Sequence, residues 1–387
     1  MMSLQALPRI VIDLEKLRHI NTGLGRFSLH LAQEILSLAP GRFEPVFFLP
    51  DGCERYFPAG GFEQIAVAEW KKEGLRRFVR PLVEPLLPRS DLALWHTTHQ
   101  AAKYQPFDSR VPVLLTIHDL NFLHDDAGNV PQPPLSGRHR RKLAAVQRLV
   151  DRACAIATDS AYVADEVRAF LDVGDRPVHV VPLGLAEPPQ ASATRPSFLS
   201  PGPFFLTVGN CLPHKNFRVL IGMIDAMPEA RLVIAGKKAT PYGASIEQEI
   251  TARGLESRVF MPGEVSDGDR QWLYENCEAF LFPSLAEGFG FPVLEAMQCG
   301  KPVVMSRCTS LPEIAGEHGF FFESFEPVEM ANTVRAALST ARASVGWSEK
   351  VCHHAMTFSW AKTASQYAAI YQTLSEPARA GRSGHDA

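Results

Sequence analysis

The 387-residue sequence lacks the marks of several protein classes. Its seven cysteines, at 53, 154, 211, 277, 299, 308 and 352, form no Cys-x-x-Cys pair. An odd, scattered set argues against a disulfide framework or a cysteine zinc site and for a reducing compartment. Neither charge sign dominates: 39 Lys+Arg against 42 Asp+Glu leave a net charge of −3, so no global polycation is available to meet nucleic acid. No stretch reaches the roughly 18 uncharged apolar residues of a membrane-spanning helix. No basic segment followed by a long apolar run opens the chain, so no signal peptide is expected. These absences predict a cytoplasmic protein. A P-loop, Gly-x-x-x-x-Gly-Lys-[Ser/Thr], is missing as well. The histidines are scattered without tight ligand spacings, so neither a metal nor a cofactor is expected.

What the chain does have is alternation. With 46% hydrophobic and 21% charged residues it suits a soluble globular protein of about two domains. Short apolar runs predict strands at Arg9–Leu14, Glu44–Leu49, Leu92–Thr97, Val113–His118, Ala155–Asp159 and Val178–Pro182. Helical patterns at Gly25–Leu38, Gly137–Arg152 and Ala161–Leu171 lie between them. The proline-rich run from Glu187 to Pro196 reads as a linker. A second series follows, with strands at Phe204–Gly209, Arg231–Gly236, Arg258–Met261, Ala279–Pro283 and Pro302–Met305. The fold class is therefore α/β, with two Rossmann-like domains whose parallel sheets face a central cleft. The expected domains are 1–186 and 197–357, and 377–387 is expected to be a frayed tail.

The richest stretch for chemistry is Glu287-Gly288-Phe289-Gly290-Phe291-Pro292-Val293-Leu294-Glu295, which sets two carboxylates eight positions apart. It lies between a buried strand and a helix that Gly300 and Pro302 stop. Open α/β sheets bind ligands at such carboxyl ends of strands, where helix N–H groups attract phosphate. Two glutamates here also suit solvated surface or favourable charge at a helix N-terminus. Gly288 and Gly290 let backbone approach a ligand closely, and Phe289 and Phe291 are expected to be exposed on the loop. Upstream, Lys215 follows a strand ending at Gly209, with Asn216 as the expected N-cap of the next helix. A cation there suits a diphosphate, although a loop lysine alone is commonly surface decoration. His118 ends an apolar strand and reads equally as a satisfied edge residue, with Asp119 fixing its tautomer or capping a turn. Gly23-Leu24-Gly25 follows a strand and opens a helix. It suits a tight turn or a close approach to a ligand.

Taken together, Val208-Gly209-Asn210, Pro213-His214-Lys215-Asn216, Leu232 to Lys237, and Glu287 with Glu295 resemble the family-4 retaining glycosyltransferases, whose architecture is called GT-B. Val265-Ser266-Asp267, Ser310-Leu311-Pro312-Glu313 and Phe358-Ser359-Trp360 extend the resemblance. So do Thr22 to Arg26 and Thr116 to Leu120, and the whole spans about residues 9 to 375. The resemblance implies that Glu287 lies near the reacting sugar carbon and that Glu295 holds the nucleotide ribose. It further implies that the backbone N–H groups of Phe289, Gly290 and Phe291 contact sugar and phosphate. Lys215 would neutralise the departing diphosphate, Val265 would meet the base through its backbone, and His118 would reach the sugar from the first domain. Gly23 and Gly25 would let their loop approach the phosphate or acceptor. A C-terminal helix at 358–376 would cross back to the first domain. Many members carry arginine directly after the glycine at 209, where this chain has Asn210. That places more of the diphosphate charge on Lys215.

The implied function is metal-independent hexosyl transfer, with mannose from GDP-mannose as the expected donor and a lipid-linked or surface-polysaccharide acceptor. The pattern around Asn210 and Lys215 resembles a mannosyltransferase-like subgroup tied to lipopolysaccharide and exopolysaccharide biosynthesis. Two other readings share the residues: a nucleotide-sugar epimerase of the same architecture, and a non-catalytic donor-binding scaffold. The stretch 70–89 holds six basic and two acidic residues, a net +4, interleaved with apolar ones. It suits either an anionic membrane surface or an ordinary solvated helix. Peripheral attachment to the inner face of the membrane is therefore expected alongside the cytoplasmic location.

Overall fold

The computed structural model describes residues 6–20, 22–67, 90–124, 135–192 and 194–380, with side chains to 376. The basic stretch 70–89 and the end 381–387 lie outside the described residues. The described residues fall into two compact units. One comprises Met1–Leu120, Ser136–Gly184 and Ser359–Ala387, the other Asn121–Leu135 and Leu185–Phe358. The linker region from Leu185 onward thus groups with the second unit. No helix among the described residues is long and apolar enough to cross a membrane.

In the first unit, β1 (Arg9–Asp13), β2 (Glu44–Leu49), β3 (Glu63–Ala66), β4 (Leu92–Thr97), β5 (Val113–Ile117), β6 (Ala155–Thr158) and β7 (Val178–Val180) form one sheet. Its strand order is β3-β2-β1-β4-β5-β6-β7, and neighbouring strands pair in parallel. Among the described residues, three α-helices of this unit fall between its strands: α1 (Gly23–Leu38), α2 (Gly137–Arg152) and α3 (Ala161–Phe170). Thr22, Ser136 and Ser160 cap these helices, each side chain accepting a backbone N–H. Because helices shield parallel sheets, interior strands such as β5, Val-Leu-Leu-Thr-Ile, are buried at every position.

The second unit repeats the plan. Its strands are β8 (Phe205–Val208), β9 (Leu232–Ala235), β10 (Val259–Gly263), β11 (Phe280–Phe282), β12 (Val303–Ser306) and β13 (Gly319–Phe322), in the order β10-β9-β8-β11-β12-β13. The helices are α4 (Arg218–Asp225), α5 (Pro241–Ala252), α6 (Asp267–Asn276), α7 (Phe291–Gln298), α8 (Leu311–Ala315), α9 (Pro327–Ala343) and α10 (Trp347–Met356). A last helix, α11 (Trp360–Ala380), belongs to the first unit. It carries through Pro377 into residues expected to be a frayed tail. Each sheet reverses its strand order once, between β1 and β4 and between β8 and β11, and at such reversals the loops diverge and leave a crevice.

Helix α11 is tied to the first sheet by polar groups. The His96 imidazole pairs through Nδ1 with the Tyr371 hydroxyl at 2.7 Å and through Nε2 with Thr116 Oγ1 at 2.8 Å. Thr116 Oγ1 also lies 3.0 Å from the Tyr367 hydroxyl. Burial pushes His96 down to about 3, so it stays neutral in the fold. Below pH 6.5 the unfolded chain binds a proton at His96 that the folded chain refuses, and this lowers stability as the pH falls. His96→Gln removes that linkage. The stability gap between the parent protein and His96→Gln should therefore shrink by ~1.4 kcal/mol per pH unit between pH 6 and 4. Urea unfolding across that range measures it.

Candidate active site

The reversal between β8 and β11 puts two loops side by side at the carboxyl edge of the second sheet. After β8 the chain passes Gly209 and exposed Asn210 into a 3-10 turn, Pro213–Lys215. After β11 it enters the loop carrying Glu287. The loops are bonded together: the His214 carbonyl accepts the Leu285 N–H at 2.7 Å and the Ser284 hydroxyl at 3.3 Å. Lys215 Nζ reaches Glu287 Oε1 at 2.5 Å, and the two side chains are 14% and 12% exposed. The ammonium also lies 5.2 Å from the centre of the Phe282 ring. Lys215 and Glu287 thus neutralise each other, rather than standing as separate charges awaiting separate parts of a ligand.

Backbone strain gathers at the same place. Among the described residues the non-glycine positions with left-handed backbone are Asn216, φ 54°, and Thr309, φ 51°. Asn216 follows Lys215 directly, and Thr309 Oγ1 accepts the Glu287 N–H at 3.0 Å. Such conformations cost of order 1–3 kcal/mol and collect at functional sites. Asn216 is therefore not the N-cap of the next helix: it closes the 3-10 turn, and α4 starts at Arg218 behind Phe217. Its short amide side chain is among those that tolerate the left-handed region.

The glutamate loop ends at Gly290, φ 113°, which caps α7, and Pro292 lies in the first turn. The dihedral is what favours glycine at 290, since a Cβ there would meet only the movable end of the Leu311 side chain, Cδ2 at 2.9 Å. Phe289 is 4% exposed, against the expectation of an exposed ring. It packs edge-on against Phe291 and Phe358, with centroids 5.3 and 5.9 Å away. Phe291 is half-buried. The apolar loop residues thus serve the core, and only their backbone is left for a ligand. Glu295 stands in α7, where its Oε2 accepts the hydroxyl of buried Tyr274 at 2.8 Å. Val265 lies after β10, the edge strand of the same sheet.

Tyr274 and Thr309 are contributions the sequence reading missed. Nothing in the Tyr274 pattern on α6 distinguishes it from a core aromatic. Removing its hydroxyl would take one hydrogen bond from Glu295, and a hydrogen bond to a charged group is worth about 1.5 kcal/mol or more. Tyr274→Phe should therefore raise the donor KM about tenfold with kcat changed less than about threefold, as measured by initial rates.

In the first unit His118 is 5% exposed and both ring nitrogens are committed. Nδ1 lies 2.7 Å from Asp159 Oδ2, and Nε2 lies 2.8 Å from the Thr98 carbonyl. The Thr98 carbonyl can only accept, so Nε2 donates to it, and Nδ1 shares a proton with the Asp159 carboxyl group. Burial pulls the His118 pKa down, but the Asp159 charge and these hydrogen bonds outweigh it and raise the net value. Neither nitrogen is left for a sugar while these bonds hold, contrary to the contact expected of it. Asp119 is not the tautomer-fixing partner; Asp159 is, and β5–β6 pairing aligns Ile117 with Thr158, the residues just before this pair. Gly23 and Gly25 occupy the first turn of α1. A Cβ at Gly25 would sit 2.2 Å from the His19 carbonyl, whereas one at Gly23 meets nothing within 4 Å. Gly25 is thus required by packing, and Gly23 leaves open space.

Among the described residues no group of three His, Cys, Asp or Glu side chains is placed to hold a metal ion. One Asp-x-Asp triplet does occur, Asp267-Gly268-Asp269, which the metal-free expectation left out of account. It opens α6. Asp267 pairs with Arg270 at 2.9 Å and Asp269 accepts the Ser192 hydroxyl at 2.8 Å.

Comparison with known proteins fits this geometry. Residues 194–351 match the model of the family described as "Glycosyl transferases group 1". Lys215, Glu287, Glu295, Tyr274 and Thr309 all lie within the matched residues. "O-antigen chain mannosyltransferase B" of Escherichia coli is 31% identical over 181 residues, covering 44% of this chain and 46% of that protein. "Serotype-specific mannosyltransferase WbdA" of Escherichia coli is 28% identical over 265 residues, 64% of this chain and 32% of that protein. The chain thus spans less than half the length of these curated relatives. A glycosyltransferase structure from Rickettsia africae ESF-5 superposes with a TM-score of 0.67 at 13% identity, covering 96% of this chain and 99% of that one. The fold is the two-domain GT-B architecture, and the matched residues lie in its second unit.

Proposed function

We propose that this protein is a retaining glycosyltransferase that moves mannose from GDP-mannose to a lipid-linked or surface-polysaccharide acceptor. The observation that carries the reading is the Lys215–Glu287 pair at the strand-order reversal within the matched residues. As the bond to the nucleotide diphosphate breaks, negative charge grows on the leaving group and the sugar becomes oxocarbenium-like. Lys215 and the N–H groups of Phe289, Gly290 and Phe291 meet the first charge, and the Glu287 carboxylate meets the second. Asn210 supplies a neutral amide at the same sheet edge. Glu295, oriented by Tyr274, takes the ribose, and Val265 meets the base. The first unit takes the acceptor, beside the open face of Gly23. Mannose rests on the names of the two relatives described above, both mannosyltransferases. The proposed location is the cytoplasm, peripheral to the membrane where a lipid-linked acceptor lies.

The test is transfer from radiolabelled GDP-mannose, with UDP-glucose and UDP-galactose as competitors, to membranes of a strain lacking this protein. Label should move into the glycolipid fraction with the anomeric configuration of the donor retained. Transfer from a UDP-sugar alone would overturn the donor. Conversion of free donor without acceptor would favour an epimerase, and the absence of any reaction would favour a scaffold.

A further inference from the structure

The loop that bears Glu287 is gripped at that residue's own backbone. The Glu287 N–H donates to Thr309 Oγ1 at 3.0 Å, and the Glu287 carbonyl accepts from Ser310 Oγ at 3.1 Å. The Ser310 hydroxyl also lies 2.9 Å from the Phe289 carbonyl, and Ser310 is fully buried. Thr309 and Ser310 lie between β12 and α8, a segment distant in sequence from the loop they hold.

Thr309 is an unlikely residue for its conformation. A β-branched side chain at φ 51° is disfavoured, and glycine would adopt this backbone freely. Helix α8 could be entered through glycine without strain. Only a side chain, however, can present an acceptor to the Glu287 N–H. Half-buried Thr309 therefore holds a costly backbone and supplies the one contact that glycine could not. We infer that Thr309 is a positioning residue for the sugar-transfer step: its hydroxyl fixes the height of the Glu287 loop, so that the carboxylate and Lys215 meet the donor in one arrangement. The inference rests on the function proposed above and adds a residue outside the Glu287–Glu295 stretch.

The two properties of Thr309 separate by substitution. Thr309→Val keeps shape and strain but removes the acceptor, Thr309→Gly removes both, and Thr309→Ser keeps the hydroxyl with less strain. Steady-state transfer should show kcat lowered at least ~10-fold in the Val and Gly variants, with the donor KM within about threefold of the parent value and Thr309→Ser near the parent. Thermal midpoints separate positioning from folding: Thr309→Gly should melt at or above Thr309→Val while being equally slow. Parent-like kcat in Thr309→Val would overturn the inference, as would a Thr309→Ser as slow as Thr309→Val. Rates that follow the thermal midpoints across the three variants would overturn it too. These outcomes are read against an active parent, whereas a parent with no transfer from any donor would sink the proposed function itself.

Discussion

Lys215→Met should lower the turnover of sugar transfer at least ~100-fold, and Glu287→Gln should do the same, the scale of losing one preorganised charge at a reacting centre. The Lys215–Glu287 bond adds a second expectation. Each side chain is under 15% exposed, so removing one strands the other in a poorly hydrated place. Either single variant should then lose about 1–3 kcal/mol of stability. The double variant Lys215→Met/Glu287→Gln leaves no stranded charge. Its stability should recover by at least half of the larger single loss, while its turnover stays as low as that of the slower single variant. Urea denaturation and initial rates on the four proteins form the cycle. Additive stability losses would mean the bond does not exist in solution. Turnover restored in the double variant would mean that the two charges only balance each other and take no part in transfer.

Asp159→Ala should have the largest effect on stability. It removes the buried charged partner of His118, and breaking such a pair costs ~3–5 kcal/mol. The sign of the pH dependence follows from the raised pKa of His118. The folded state holds the His118 proton more tightly than the unfolded state. This contribution is fully present below pH 6.5 and is lost as the pH rises through the folded value. Burial also raises the Asp159 pKa, with His118 opposing it, so the carboxylate depends on the imidazolium for its charge. In Asp159→Ala the loss of stability on the alkaline side of pH 6.5 should flatten, because His118 no longer has a reason to keep its proton. Thermal midpoints between pH 6 and 9 in both proteins test this. A parent-like midpoint and slope in Asp159→Ala would show that the pair is not formed.

Much of this was legible in the chain, and the parts that were not share a physical cause. Interior strands such as β4 and β5 announce themselves because both faces are covered, which makes them continuous apolar runs. The edge strand β3, Glu-Gln-Ile-Ala, has two exposed polar residues and gives no such run. The Glu287 loop could be placed at a strand's carboxyl end because Gly290 and Pro292 mark the start of α7. Its grip could not be seen, because Thr309 is 22 residues away in sequence and nothing about a threonine in the sequence signals a left-handed backbone. Phe289 shows the opposite failure: a loop phenylalanine reads as exposed until the neighbouring Phe358 is known to cover it. His118 was found by its place at a strand end, but its partner needed the β5–β6 register. The charge deficit at Asn210 was visible at once, whereas the ion pair between Lys215 and Glu287 was not.

The central claim is that a nucleotide sugar binds at the edge carrying Lys215, Glu287 and Glu295, and thermal unfolding with a panel of GDP- and UDP-sugars tests it most directly. A ligand that binds only the folded state adds about 2.7 kcal/mol at one hundred times its Kd. GDP-mannose should raise the midpoint of the parent protein by several degrees, and the gain should be largely lost in Glu295→Ala. If no nucleotide sugar shifted the midpoint, or if Glu295→Ala and Lys215→Met responded as strongly as the parent, the donor site would not be where it is placed here.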